Sequence, residues 1–179
     1  MAILNNNLRY GIISIIFHWA MAVMLIATFL LGKNLKDNFE NYYEVLALHN
    51  SFGLLIFLTA IFRLTWKWIN VKPDQMPNKL IFMKLATTSH ICFYILFFIM
   101  PLTGYLITNF QGDEVIFFGI SMPGIFERNR DLKYYTHEIH FYLGNLLLIL
   151  FFLHVLGALY HHYILKDNTL KRMTFTKLE

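Results

Sequence analysis

The chain has one cysteine, four prolines and few charges. Cys92 alone cannot form an intrachain disulfide. With no CxxC or CxxCH, zinc-thiolate sites, iron–sulfur clusters and covalently attached c-type haem are excluded. Any metal must therefore rest on the eight histidines or on carboxylates. Charged residues make up 15% of the chain, where a soluble domain has about a quarter. There is no nucleotide loop, flavin motif or Ser/His/Asp set, so the residues alone offer no catalytic machinery. No repeat or low-complexity tract occurs. No segment alternates with period two, which argues against a membrane β-barrel.

Apolar residues make up 57% of the 179 and aromatics 17%, which moves the chain into the membrane class. A hydrocarbon core of ~30 Å needs ~20 helical residues, and four segments qualify: residues 12–31, 46–68, 85–108 and 138–165. They predict an all-α membrane protein, a single domain over residues 1–179 folded as a four-transmembrane-helix bundle, with Pro101 kinking the third span. Arg9 precedes the first span without a small-residue cleavage pattern close behind, so that span is read as retained.

Lys and Arg set the orientation. The side with the N-terminus, the 67–84 connection and the C-terminal tail holds ten basic residues, counting Arg63. The other side holds five: Lys33, Lys36, Arg128, Arg130 and Lys133. Acidic residues run three against eight. Both termini are expected in the cytoplasm, in a bacterial inner membrane. The net charge of +4 reads as attraction to anionic membrane lipid rather than to nucleic acid.

Ionisable groups inside a span are costly and usually functional. His18, His49, His90, His140 and His154 fall within or at the ends of spans. Any one alone reads as a packing residue; together they read differently. His140 and His154 are fourteen residues apart, about four turns, so they share a face ~21 Å apart along the axis. By depth His154 is level with His18, and His140 with His49, which gives two cross-bundle pairs. Each of the four has a small residue one turn later (Ala22, Gly53, Gly144 and Ala158), leaving room for a flat porphyrin edge. Small residues also permit close helix packing, but that does not explain their placement after histidine four times. Paired imidazoles suit haem iron in a bundle core. Zinc or copper would need three or four ligands at one site. Two haem b groups are expected, on His18/His154 and His49/His140.

The other positions stay open. His90 is either an interfacial residue or a quinone or propionate contact. Of the adjacent His161 and His162, one at most faces a given site. His137 is a solvated residue or a propionate partner. Arg63 either neutralises a propionate or snorkels.

In chain order, the matching stretches are Phe17-His18-Trp19; Leu48-His49-Asn50-Ser51-Phe52-Gly53-Leu54-Leu55; Met100-Pro101-Leu102-Thr103-Gly104; His140 through Gly144 to His154; and Ala158-Leu159-Tyr160-His161-His162-Tyr163 with Lys166-Asp167-Asn168-Thr169-Leu170-Lys171-Arg172-Met173. Together they resemble the prokaryotic cytochrome b561 family over nearly the whole chain. The resemblance implies a four-helix bundle with two haem b, electron transfer with quinone, and His18, His49, His140 and His154 as ligands. The closing stretch is similar to members that pass electrons from superoxide to ubiquinone. The fourth helix carries His137 besides His140; the distance to His154 and the presence of Gly144 select His140.

The leading expectation is a stand-alone superoxide:ubiquinone oxidoreductase. Its quinone would lie near His161, His90 and Lys166, and Arg128, Arg130 and Lys133 would guide the anion unless they are simply solvated. The alternative is a haem b anchor subunit linking a peripheral dehydrogenase or hydrogenase to quinone. A third class, a His-lined metal transporter, lacks the continuous polar path it would need.

Overall fold

The computed structural model describes residues 2–35, 40–74 and 79–176. Lys36, from the basic count, lies outside these.

The chain is a four-helix membrane bundle. Helices α1 (Ile12–Asn34), α2 (Tyr42–Ile69), α3 (Leu80–Gln111) and α4 (Arg130–Tyr163) have 23, 28, 32 and 34 residues. At ~1.5 Å per residue even the shortest exceeds the ~30 Å hydrocarbon core. All four are apolar enough to cross it. Large apolar side chains such as Val23, Leu58, Ile95 and Leu156 point outward and exposed. That is the reverse of a soluble bundle and suits lipid as solvent.

Helix α1 packs along α2, α2 along α3, and α3 along α4; α4 makes no comparable contact with α1 or α2. The buried core draws on all four helices: Met21, Ile56 and Ala60, Phe93, Leu96 and Phe97, and Leu147. Leu147 is the buried residue of α4, midway in sequence between His140 and His154. The apolar core thus occupies the middle of the bundle and leaves polar chemistry to its two ends.

The helices extend past their apolar stretches. Helix α4 starts at Arg130 because Asn129 caps it, accepting the Leu132 N–H at 3.0 Å, and Asp131 favours the first turn. Arg130 and Lys133, outside the 138–165 segment read from the sequence, therefore lie in the first turns of a helix. Helix α3 runs unbroken through Pro101. Gly112, at φ 90°, closes it: its N–H reaches the Asn109 carbonyl, and the Asp113 N–H reaches that of Thr108.

The loop between α3 and α4 contains a hairpin that the sequence reading did not anticipate. Strands β1 (Val115–Phe117) and β2 (Ile120–Met122) pair antiparallel around Phe118 and Gly119. Both turn residues have positive φ, 47° and 86°, as a two-residue hairpin turn requires. The Phe118 N–H donates to Ser51 Oγ at 2.8 Å, and the Ser51 hydroxyl donates to the Ala47 carbonyl at 2.6 Å. Asn109 Oδ1 accepts the Ile125 N–H at 2.7 Å. At the opposite end three segments are tied together. Asn5 bonds Asn70 and Val71, Arg9 donates to the Thr174 carbonyl, Arg172 to that of Asp74, and Trp19 Nε1 to that of Met173. These ends are called below the hairpin end and the termini end.

Candidate functional site

The bundle brings together the two histidine pairs read from the sequence. His18 on α1 faces His154 on α4 with ring centroids 6.1 Å apart and planes inclined at 53°. His49 on α2 faces His140 on α4, also at 6.1 Å, with planes at 69°. A first-row metal bonds an imidazole nitrogen at ~2.0–2.1 Å and the ring centre lies ~1.1 Å farther back, so two imidazoles on one iron place their centroids ~6.3 Å apart. The separations fit an axial pair. Among the described residues no group of three or more His, Cys, Asp and Glu side chains could hold a bare metal ion.

At the hairpin end hydrogen bonds fix the tautomers. His49 Nδ1 lies 2.9 Å from the Thr28 carbonyl oxygen. A carbonyl only accepts, so the proton sits on Nδ1 and Nε2 keeps its lone pair for a metal. His140 Nδ1 lies 2.8 Å from Thr103 Oγ1, whose own proton goes to the Met100 carbonyl at 2.8 Å; the imidazole again donates from Nδ1. Backbone approach matters too. A Cβ on Gly32 would fall 2.8 Å from His49 Cε1, and one on Gly104 3.4 Å from His140 Cε1. A Cβ at Gly53 would meet nothing within 4 Å, and one at Gly144 only the flexible Met100 Cε at 3.5 Å. Thr28, Gly32, Thr103 and Gly104 were not picked out from the sequence as supports of a histidine. The signals were faint: Gly32 follows Thr28 by one turn, and Thr103-Gly104 stood in a motif without a role.

The termini end is more crowded. His90 on α3 lies 5.9 Å from His154, as close as His18 does. Helices α3 and α4 pack directly on each other, so a planar macrocycle has no room between their axes, whereas α1 and α4 face one another without close packing. That favours His18 over His90 as the partner of His154. Arg63 approaches His18 Nδ1 at 3.5 Å and Met21 Sδ at 3.2 Å. Tyr10 lies just outside the first span. Burial pushes its phenol above the usual value, against the charge of Arg172.

The other sequence candidates fall in separate places. His161, in the last turn of α4, places its Nδ1 2.6 Å from Oδ2 of Asp167, which follows the helix. Burial alone would raise the Asp167 carboxyl, but hydrogen bonds from Thr169 and His161 outweigh it and hold it below the usual range. Lys166, at φ 53°, takes the left-handed position that turns the chain after α4. His137, Arg130, Lys133 and Tyr134 line one open pocket of about 320 Å³ on α4. Arg128 instead packs its stem near Gly112, where a Cβ would come within 3.4 Å of it.

The family model for the prokaryotic cytochrome b561 matches residues 9–176. The chain belongs to the prokaryotic cytochrome b561 family. Cytochrome b561 homolog 2 of Escherichia coli (strain K12) is 32% identical over 178 residues, covering 97% of this chain and 95% of that protein. The probable superoxide oxidase CybB of Yersinia pestis is 30% identical over 168 residues, covering 92% and 95%. Cytochrome b561 homolog 1 of Escherichia coli (strain K12) is 29% identical over 170 residues, covering 92% and 96%. This b561-family chain is thus a multi-pass membrane electron-transfer protein of a haem b-binding family, and its paired imidazoles fit that group.

Proposed function

We propose that the chain binds two haem b, on His18/His154 and His49/His140, and works as a superoxide:ubiquinone oxidoreductase. The observation that carries this reading is the pair of facing imidazoles at each end, both at 6.1 Å, with the apolar core around Leu147 between them. Bound haem supplies one-electron chemistry, which lets a one-electron donor serve a two-electron acceptor. Two superoxide ions each give up one electron and leave as dioxygen; one ubiquinone takes both electrons and two protons to become quinol.

The protein's residues divide this work. Thr28 and Thr103 hold two imidazoles in the metal-binding tautomer. Arg130 and Lys133, in the first turns of α4 beside Tyr134 and His137, draw a small anion toward the hairpin end; Arg128 adds charge from the loop. His161, oriented by Asp167, is placed to hand a proton to a quinone carbonyl at the termini end, with His90 and Lys166 as further quinone contacts. The basic excess supports a reading with both termini in the cytoplasm; in a bacterial inner membrane, superoxide then arrives from outside and quinol forms on the inner side. The relative named a probable superoxide oxidase supports this choice of donor.

The test is pyridine haemochrome assay of purified protein, followed by stopped-flow reduction with superoxide in the presence of a soluble ubiquinone. Two haems per chain and a fast, salt-sensitive reduction are expected. A ratio near zero refutes the haem reading; a rate no better than that of free haem refutes superoxide as donor.

A further inference from the structure

Helix α4 turns its histidines inward and carries one amide on the opposite face. At 3.6 residues per turn, Asn145 lies about 140° round the helix from His140 and about 180° from His154, so it points away from both pairs. It is exposed, and it lies about 10 Å along the axis inside Glu138, too deep for so short a side chain to reach the membrane surface. One N–H of the amide donates to the Phe141 carbonyl at 2.9 Å. Among the described residues, its second N–H and its Oδ1 have no hydrogen-bond partner. A polar group left unpaired against lipid is costly. Thr59 and Thr103, also within spans, are buried in the bundle instead.

Asn145 also stands in a regular seam. Tyr142, Ile149 and Leu156 recur every seven residues, and so do Asn145, Phe152 and Leu159. The two series interleave at spacings of three and four, the heptad pattern of paired helices. All of these side chains are exposed. An exposed apolar face alone means contact with lipid. An amide set in the middle of that face calls for a polar partner at the same depth.

We propose that this face of α4 is the seam of a homodimer, in which Asn145 of each copy hydrogen-bonds Asn145 of the other. A second copy suits the face because an amide is self-complementary. Each carries a free N–H and a free Oδ1, so two of them make a reciprocal pair of bonds. Copies inserted in one membrane run the same way. Their Asn145 residues therefore meet at equal depth, about a two-fold axis along the membrane normal. Apolar area does not by itself drive helices together in lipid; close packing and interhelical hydrogen bonds do. A single polar residue on a heptad seam also fixes its register. Ile149, Phe152 and Leu156 then interlock on the termini side of the amide pair, and Tyr142 on the hairpin side. The two bundles stand back to back, and each keeps its own histidine pairs turned inward, away from the seam. The dimer does not depend on the function proposed above.

The experiment has two arms. In intact membranes, with Cys92→Ala to remove the native thiol, Ile149→Cys and Leu156→Cys are oxidised mildly and the products sized. Both are expected to form a disulfide-linked species of twice the chain's mass. Val23→Cys, exposed on α1, is expected to stay monomeric. In detergent, sedimentation of the purified chain over a range of concentrations gives the dimer dissociation constant. Asn145→Leu should raise that constant about 3- to 30-fold, the range for an interhelical hydrogen bond, at unchanged helical content. Asn145→Gln, which keeps the amide, should recover most of the loss. A chain that is monomeric in both arms overturns the proposal. So does an Asn145→Leu chain that dimerises as well as the unaltered one, or a Val23→Cys chain that cross-links as readily as Ile149→Cys. Cross-linking of Ile149→Cys only to a different protein gives the seam another occupant and overturns it too.

Discussion

The hairpin end and the termini end hold their histidines at the same 6.1 Å separation by different means. At the hairpin end backbone and hydroxyl groups do the holding. Gly32 lets α1 press against the His49 ring, Thr28 and Thr103 take up the Nδ1 protons, and Ser51 and Asn109 tie the loop to the helices. At the termini end rings and cations surround the pair: Trp19, Phe93, His90 and Arg63. Equal spacing shows that one ring separation can be reached from unlike surroundings, and the surroundings are where the ends differ in chemistry. Fixed acceptors suit a centre that only passes electrons. Imidazoles and cations near the tail suit an end where protons also move.

The largest effects should come from breaking one end at a time. Replacing His49 or His140 with Ala should lower haem content from two per chain to one and leave the termini-end spectrum. Replacing His18 or His154 should do the reverse. His137→Ala should retain both, because His137 faces an open pocket and not the His49 ring. Loss of a haem on His137→Ala with retention in His140→Ala would make His137, not His140, the ligand on α4. A smaller effect should follow Gly32→Ala. Its Cβ would fall 2.8 Å from His49 Cε1, so the ring or α1 must shift. Disturbing what orients a ligand costs about 10–100-fold in metal affinity. Haem titration should show this loss at the hairpin end alone, and unchanged affinity at both sites would remove Gly32 from the site.

The four long apolar runs and the four paired histidines were legible in the sequence because helical periodicity relates residues within one helix. Fourteen residues from His140 to His154 fix a face and a distance before any fold is known. What supports each histidine was not legible, because those contacts cross between helices. Thr28 reaches His49 from another helix, Thr103 reaches His140, and Gly32 matters only because α1 lies against His49. The hairpin was hidden for a different reason. Its strands are three residues each, too short for period two to show, and its turn puts Phe118 in a conformation that phenylalanine seldom adopts.

Cutting the tie between the hairpin and its end of the bundle should cost less than losing a ligand. Ser51 is almost fully buried and bridges the Phe118 N–H to the Ala47 carbonyl. Ser51→Ala leaves the Phe118 donor without that acceptor; because Phe118 sits exposed at the turn, the loss is that of an ordinary hydrogen bond, about 0.5–1.5 kcal/mol. Thermal melting in detergent should fall accordingly, and proteolysis within residues 113–126 should quicken while haem content stays at two. A melt and a cleavage rate like those of the unaltered chain would mean that the Ser51 bonds do not hold the hairpin.

The smallest effect belongs to the termini end, at the pair of His161 and Asp167. Burial would raise the Asp167 carboxyl, yet the bonds from Thr169 and His161 prevail and hold it below its ordinary value. A carboxyl lowered on folding binds its proton more readily in the unfolded chain, whose pKa is ~3.9. The stability it adds is therefore complete above about pH 4 and drains away as pH falls through the lower folded value. The group sits near solvent, so the contribution is that of a screened surface pair, ~0.5 kcal/mol. Asp167→Asn should lower melting slightly at pH 6, and the gap to the unaltered chain should close as pH drops below 4. The same substitution should slow quinone reduction without changing haem content, because His161 loses the carboxylate that orients it. A melting gap that stays constant from pH 6 to 3 would show that Asp167 acts through its shape and not its charge. Unchanged quinone reduction would take the pair out of proton delivery.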